Sequence, residues 1–119
     1  MPRSQMDAPE SRLPLSEPVL QILISLAARD LHGYAIMREV EERSGGRVTL
    51  STSTLYGALQ RMMRDSLVER SAERPDPASD DQRRRYYRIT DFGRAVAEAE
   101  AGRISELAHL LRERDLVTR

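Results

Sequence analysis

Apolar and polar residues follow a helical period in four stretches of this chain and a strand-like period in two. Apolar side chains recur every three to four residues in four segments, and this spacing predicts helices over residues 15–30, 32–46, 53–65 and 91–115. Two short segments, 67–74 and 83–90, alternate between apolar and polar residues on either side of a polar loop, which predicts a β-hairpin. The predicted order is helix, helix, helix, hairpin, helix.

Residues that begin and end helices lie at the boundaries of these segments. Ser16 or Glu17 can cap the first helix, and Thr90 can cap the last. Gly45 and Gly46 are expected to end the second helix, because glycine readily adopts the left-handed backbone found after a helix C-terminus.

Three helices followed by a two-stranded hairpin form a winged helix-turn-helix, whose third helix enters the major groove of DNA. The expected fold class is therefore mainly α with a small β-hairpin. We expect a winged helix-turn-helix domain over residues 15–90 and a C-terminal dimerisation helix over residues 91–119. Residues 1–14 are polar with three prolines and are expected to form a disordered leader.

The third predicted helix has one apolar face and an opposite face of small, polar and basic residues without a carboxylate. Ser51 or Thr52 is expected to cap its first turn, which leaves the following hydroxyls free to contact DNA. Gly57 in this face permits a close approach of the backbone to DNA. The candidate DNA-contact residues on this helix are Ser53, Thr54, Tyr56, Gly57, Gln60, Arg61 and Arg64.

Three consecutive arginines, Arg83, Arg84 and Arg85, lead into the second strand of the hairpin and are candidates for contacts with DNA phosphates. The alternative is a solvated charge run, balanced by the aspartates of the neighbouring loop. Tyr34 and Tyr87 are expected to pack in the core, because aromatic residues on amphipathic elements usually serve packing.

The last predicted helix carries an apolar stripe that is too long for so small a domain to cover. Burial of these side chains against a second copy would contribute about 1.5 to 3 kcal/mol each, and a two-fold dimer matches a palindromic operator. The alternative is a helix that folds back on the first helix of the same chain. The predicted dimer residues are Val96, Ile104, Leu107, Leu110 and Leu111.

The composition excludes several functional classes. The chain has no cysteine, which excludes thiolate metal sites and cysteine nucleophiles, and its two histidines, His32 and His109, lack metal-ligand spacing. No nucleophile elbow or glycine-rich phosphate loop is present, so the sequence predicts no enzyme, no cofactor and no metal. No apolar run approaches the roughly 18 residues of a membrane span, and we expect a soluble, cytoplasmic protein.

The charge balance keeps a second binding function open. All nineteen basic residues are arginine, the formal net charge is zero and the isoelectric point is about 6.7. This balance lacks the basic footprint of a nucleic-acid binder, so a winged helix that binds protein instead of DNA is the alternative. Residues 51–94 hold nine arginines against seven acidic residues, a small local excess that favours DNA binding.

Three segments carry a resemblance to a known family. They are LHGYAIMREVEE at residues 31–42, STLYGALQRMMRDSLVER at 53–70 and RRRYYRITDFGRA at 83–95. In this order they resemble the PadR family of bacterial transcriptional regulators, over about residues 15–111. The single C-terminal helix is similar to the smaller subgroup of that family.

The resemblance implies a homodimer that binds a palindromic operator in double-stranded DNA, usually as a repressor, and that a small aromatic or drug-like effector releases. It implies an effector pocket between the first and last helices, near Leu20, Leu23 and Leu107. Two residues depart from the family pattern: Gly57 stands where proline is most frequent, and Ser66 where glycine usually ends the third helix.

Overall fold

The computed structural model describes residues 8–71 and 85–117, and within these ranges it confirms the expected fold class. A 3-10 turn, Pro9–Arg12, precedes four α-helices and three short strands. These elements are α1 (Glu17–Ala28), β1 (Leu31–His32), α2 (Gly33–Arg43), α3 (Thr52–Arg64), β2 (Val68–Arg70), β3 (Tyr86–Ile89) and α4 (Asp91–Glu113).

The hairpin is part of a three-stranded antiparallel sheet with the order β1-β3-β2. Leu31 pairs with Tyr87 and His32 with Tyr86 on one side of β3, while Arg70 pairs with Tyr87 on the other side. The sequence pattern did not predict β1, because a strand of two residues is too short to show alternation. The extra strand fixes the wing to the start of α2.

Side-chain caps begin the helices that carry the sheet and the core. Ser16 caps α1, and the Thr90 hydroxyl caps α4 by accepting a hydrogen bond from the Gly93 N–H at 2.9 Å. His32 caps α2, since its Nδ1 accepts from the Ala35 N–H at 3.2 Å. This cap was not predicted from the sequence, because histidine is not among the usual N-cap residues.

Every helix contributes one apolar face to a single core. Each of these side chains stabilises the fold by about 1.5 to 3 kcal/mol relative to an exposed position. The buried apolar residues of this core include Ile22, Leu23, Leu26, Ile36, Val40, Leu55, Leu59, Met62, Val68, Tyr87 and Val96.

The burial of three residues can be compared with the predictions from the sequence, of which one is confirmed and two are wrong. Tyr87 is buried as predicted, but Tyr34 is 59% exposed, because the buried position at the start of α2 is the preceding Gly33, which packs against Tyr56. The Tyr34 ring lies 5.9 Å from the guanidinium carbon of Arg38. Val96 is fully buried within its own chain, so its assignment to the predicted dimer stripe is wrong.

Part of the predicted disordered leader packs against the body of the protein. Residues 1–7 lie outside the described residues, but Pro9–Arg12 forms its turn, and Leu13 and Leu15 pack against the core. The polar composition of residues 1–14 hid this packing, because it depends on only two leucines at the end of the segment.

Glu100 anchors this N-terminal segment to α4. Its carboxylate is buried, accepts a hydrogen bond from the Leu15 N–H at 2.9 Å, and is paired with the Arg103 guanidinium. The hydrogen bond from Arg103, followed by that from Leu15, lowers the pKa of Glu100. The sequence analysis did not single out Glu100, because an acidic residue on a long helix is usually solvated.

The turn after α3 explains why glycine suits position 66. Ser66 has a φ of 65°, and the Leu67 and Ser66 N–H groups donate to the Met62 and Met63 carbonyls at 2.8 and 3.1 Å. This pair of hydrogen bonds is the Schellman pattern, in which a left-handed residue follows the helix. A side chain in this conformation costs about 1 to 2 kcal/mol.

We therefore expect Ser66→Gly to raise the free energy of unfolding by about 1 kcal/mol, measured by urea denaturation. Ser66→Ala is the control, since it removes the hydroxyl but keeps a Cβ atom on the left-handed backbone. An equal gain in both variants would show that the hydroxyl, and not the backbone conformation, limits stability at this position.

Candidate nucleic-acid interface

The hydroxyl residues at the start of α3 divide between capping and exposure. Ser51 is the cap: its Oγ accepts from the Thr54 N–H at 3.1 Å and lies 2.9 Å from the Thr54 hydroxyl. Thr52, Ser53 and Thr54 are all exposed in the first turn. One hydroxyl therefore satisfies the helix terminus, and three remain at the surface.

The two faces of α3 separate as the sequence analysis predicted. Leu55, Ala58, Leu59 and Met62 are buried in the core. The outer surface is formed by small, polar and basic side chains, and α3 contains no carboxylate. The predicted contact residues exposed there are Ser53, Thr54, Tyr56, Gln60, Arg61 and Arg64, with Gly57 half-buried among them.

Gly33 determines where the Tyr56 ring lies. A Cβ atom on Gly33 would stand 2.8 Å from Tyr56 Cζ and 3.1 Å from Cε1, so the ring rests directly on the glycine backbone. His32 meets Tyr86 in an edge-to-face contact with a centroid distance of 5.3 Å. The start of α2 therefore contacts both α3 and the wing, which gives a packing reason for His32, Gly33 and Tyr56.

Gly57 has no such packing role. A Cβ atom there would meet only Arg61 Nη1, at the ordinary contact distance of 3.6 Å. The space above Gly57 is open toward the outer face of α3. Packing within the chain therefore does not explain the glycine at this position.

The wing presents different charges on its two faces. Arg88 and Glu69 form an ion pair of 2.8 Å on the outer face. Arg85 and Arg70 are both exposed and line a space beside α3, whereas the predicted contacts at 83 and 84 lie outside the described residues. Arg70 was missed by the sequence analysis, although the alternation of the strand and its register with Tyr87 could have found it.

A cleft separates α3 from the sheet, and we call it the α3–wing cleft. Its volume is about 230 Å³. It is lined by Tyr56, Leu59, Gln60, Met63, Arg70, Arg85 and Tyr87.

A larger groove of about 660 Å³ runs along the wing and the start of α4. Its lining includes the carboxylates of Glu69 and Asp91. Negative charge makes this groove less suited to DNA than the α3–wing cleft.

The remaining predicted site residues lie elsewhere. On α4, four apolar side chains are between 42% and 47% exposed: Ile104, Leu107, Leu110 and Leu111. Of the residues expected near an effector, Leu23 is fully buried, Leu20 is half-buried and Leu107 is exposed.

Within residues 8–71 and 85–117, no group of three or more histidine, cysteine or acidic side chains is placed to hold a metal ion. No helix in these same ranges combines the length and apolarity that a membrane crossing requires.

Solved structures share this architecture. A PadR family transcription regulator from Clostridium difficile has a TM-score of 0.71 and 24% identity, covering 82% of this chain and 97% of its own. Bacillus subtilis PadR in complex with operator DNA has a TM-score of 0.59 and 20% identity, and the match covers 72% of this chain and 47% of that protein. H. salinarum RosR has a TM-score of 0.57 and 28% identity, and the match covers 86% of this chain and 79% of that protein.

Two curated relatives also match in sequence. An uncharacterized 37.1 kDa protein in a transposon from Streptomyces fradiae is 37% identical over 87 residues, which cover 73% of this chain and 23% of the relative. Uncharacterized protein X from Lysinibacillus sphaericus is 35% identical over 74 residues, which cover 62% of this chain and 65% of the relative. The chain thus spans less than two thirds of the length of either relative.

The sequence of the chain also matches a known protein family. The transcriptional regulator PadR-like family matches residues 22–99, from α1 through the wing to the first third of α4. This family and the solved neighbours are transcription regulators and not enzymes. The chain belongs to the PadR-like family of transcriptional regulators.

Proposed function

We propose that this chain is a homodimeric repressor that binds a palindromic operator in double-stranded DNA and that a small aromatic or drug-like effector releases. The observation that carries the proposal is the outer face of α3, which is exposed, polar and basic and holds no carboxylate. The structural similarity to Bacillus subtilis PadR, which was solved with operator DNA, supports this use of the fold.

The side chains on α3 have the chemistry to read base edges. Arg61 and Arg64 can each donate two hydrogen bonds to a guanine, and Gln60 can pair with an adenine. Ser53 and Thr54 can serve either a base or a phosphate. We expect about half of the contacts to reach phosphate or sugar and to position α3 without reading sequence.

The wing is proposed to supply contacts to the DNA backbone. Arg85 is exposed beside α3 and, together with residues 83 and 84, would neutralise phosphates. Each neutralised phosphate adds about 0.9 to the salt slope of binding. Because the chain has no net charge, these wing arginines would be the main source of its electrostatic attraction to DNA.

The homodimer is supported by α4. The face that buries Gly93, Val96 and Glu100 in the chain continues past residue 103 as exposed Ile104 and Leu107. A two-fold dimer through this face would place two copies of α3 on half-sites about 34 Å apart. The effector is proposed to bind between α1 and α4 near this dimer axis, beside Leu20, Leu23 and Leu107.

The direct test is fluorescence anisotropy with labelled DNA from upstream of the gene for this protein, at two salt concentrations. An unrelated duplex of equal length is the control. We expect tight, salt-dependent binding with a preference for the upstream DNA. Absence of binding to both duplexes at low salt would contradict the proposal and favour a winged helix that binds protein.

Gly57 provides a sharper test of close approach. We expect Gly57→Ala to raise the free energy of unfolding by about 0.5 to 1 kcal/mol, since alanine favours a helix interior over glycine. The same methyl group projects from the DNA-facing side of α3 and is expected to weaken operator binding about tenfold. Gain in stability with unchanged DNA affinity would show that DNA does not approach α3 at this position.

A further inference from the structure

The α3–wing cleft includes two polar side chains, Arg70 and Tyr87, that the proposed contacts of α3 and Arg85 with DNA do not use. Strand register explains their convergence: Arg70 and Tyr87 are directly opposite each other on β2 and β3, and opposed residues share a face of the sheet. Arg85 precedes Tyr87 by two residues and lies on the same face. Tyr56 is contributed by α3 from the other wall.

Tyr87 lines this cleft with a ring that is packed in the core. The residue is 3% exposed and lines the cleft, and among the described residues its hydroxyl has no hydrogen-bond partner. The hydroxyl is open to the cleft, where it can donate to a group that enters from outside.

The electrostatics of the cleft favour an anion. Burial, followed by the nearby Tyr56, raises the pKa of Tyr87, while Arg70 and Arg85 act in the opposite direction. The Tyr87 hydroxyl therefore stays protonated as a donor and lies within electrostatic reach of both guanidinium groups. The residues that line the cleft include two arginines and no carboxylate.

We propose that the α3–wing cleft binds one phosphodiester group of the DNA backbone, with the Tyr87 hydroxyl donating a hydrogen bond to it and Arg70 and Arg85 flanking it. This inference rests on the proposed DNA-binding function, and it gives Tyr87 and Arg70 a role in binding. The cleft lies between the helix proposed to enter the major groove and the wing proposed to follow the backbone. A phosphate there would fix the depth and angle of α3.

The first test is Tyr87→Phe, which removes the hydroxyl and keeps the buried ring. We expect operator affinity to fall about tenfold or more, because a hydrogen bond to a charged group is lost. The salt slope stays unchanged, since no charge is removed. The urea midpoint stays unchanged or rises, which separates this effect from a loss of folding.

The second test is Arg70→Gln, measured against Arg88→Gln as a matched control. Both variants remove one positive charge from the wing, but Arg88 lies on the outer face and is paired with Glu69. We expect Arg70→Gln to lower the salt slope by about 0.9 and to weaken binding to operator and unrelated DNA alike. Arg88→Gln should keep the slope of the wild-type protein.

Two different results would overturn the proposal, and they are distinguishable. Salt-dependent operator binding by the wild-type protein, together with wild-type affinity in Tyr87→Phe and wild-type slope in Arg70→Gln, would refute the phosphate site and leave the DNA-binding function standing. Absence of DNA binding by the wild-type protein would refute both. Competition by inorganic phosphate beyond that of chloride at equal ionic strength, lost in Tyr87→Phe, would support the site independently of operator sequence.

Discussion

Replacing Gly93 with alanine is expected to lower the free energy of unfolding by about 2 to 3 kcal/mol, one of the largest effects of a single methyl group in this chain. A Cβ atom at Gly93 would overlap the Leu67 carbonyl oxygen and would lie 3.0 Å from its carbon and 3.1 Å from Ile89 Cγ1. The closest of these atoms belong to the backbone, so a side-chain rotation cannot relieve the overlap.

The backbone at this point has little freedom to move. The Leu67 carbonyl accepts a hydrogen bond of 3.1 Å from the N–H of Thr90, and the hydroxyl of Thr90, which caps α4, donates to the neighbouring Ser66 carbonyl. A shift that makes room for a methyl group at Gly93 would therefore disturb the junction of α3, the wing and α4 together. Urea denaturation followed by circular dichroism, at one fixed protein concentration, measures the loss.

Gly102 is the matched control on the same helix. Nothing lies within 4 Å of a Cβ atom built there, so Gly102→Ala should raise the free energy of unfolding by about 1 kcal/mol through helix propensity alone. Equal shifts of the same sign in the two variants would contradict the packing argument for Gly93.

The helices and their order could be predicted because each has an apolar face with a clear period. Leu55, Leu59 and Met62 on α3 show this: their spacing alone assigns one face to the core, and the structure buries all three. The same spacing assigned the polar and basic residues of α3 to its outer face. Periodicity therefore predicted which residues of α3 are exposed, and the contacts with DNA remain a proposal.

Other features depend on contacts between residues that are distant in sequence. Glu100 is buried because Leu15, 85 residues away in the chain, donates a hydrogen bond to it. Position on a helix gives no sign of such a partner. The same holds for Val96, which shares the apolar stripe of α4 with Leu107 but is covered by the body of its own chain.

Tyrosines illustrate the limit of local reasoning most clearly. Tyr34 and Tyr87 both looked like core residues, yet one is 59% exposed and the other 3%. Their difference comes from Gly33, which occupies the buried position at the start of α2 and leaves Tyr34 outside. Prediction of the cleft around Tyr87 would have required the register of β2 on β3, which the short strands do not reveal.

A charge introduced at Leu107, in the C-terminal half of α4, is expected to have the largest effect on dimerisation. Leu107 is 46% exposed in the single chain, and the proposed two-fold interface buries it twice, once in each copy. Since 46% of each side chain is still exposed in the single chain, loss of the two amounts to about 1.5 to 3 kcal/mol before the cost of burying a charge. Leu107→Glu should therefore weaken the dimer at least about 100-fold, as measured by sedimentation velocity across a concentration series.

Operator affinity should fall with the dimer, because a monomer contacts only one half-site. Ser105→Glu is the control: it adds the same charge two residues away, on the opposite side of α4, where the side chain is exposed. That variant should remain dimeric and bind operator as the wild-type protein does. A wild-type protein that sediments as a monomer at micromolar concentration would exclude the dimer. A Leu107→Glu variant that dimerises as strongly as the wild-type protein would instead place the interface on another face of the chain and remove the assignment of Ile104, Leu107 and Leu111 to it.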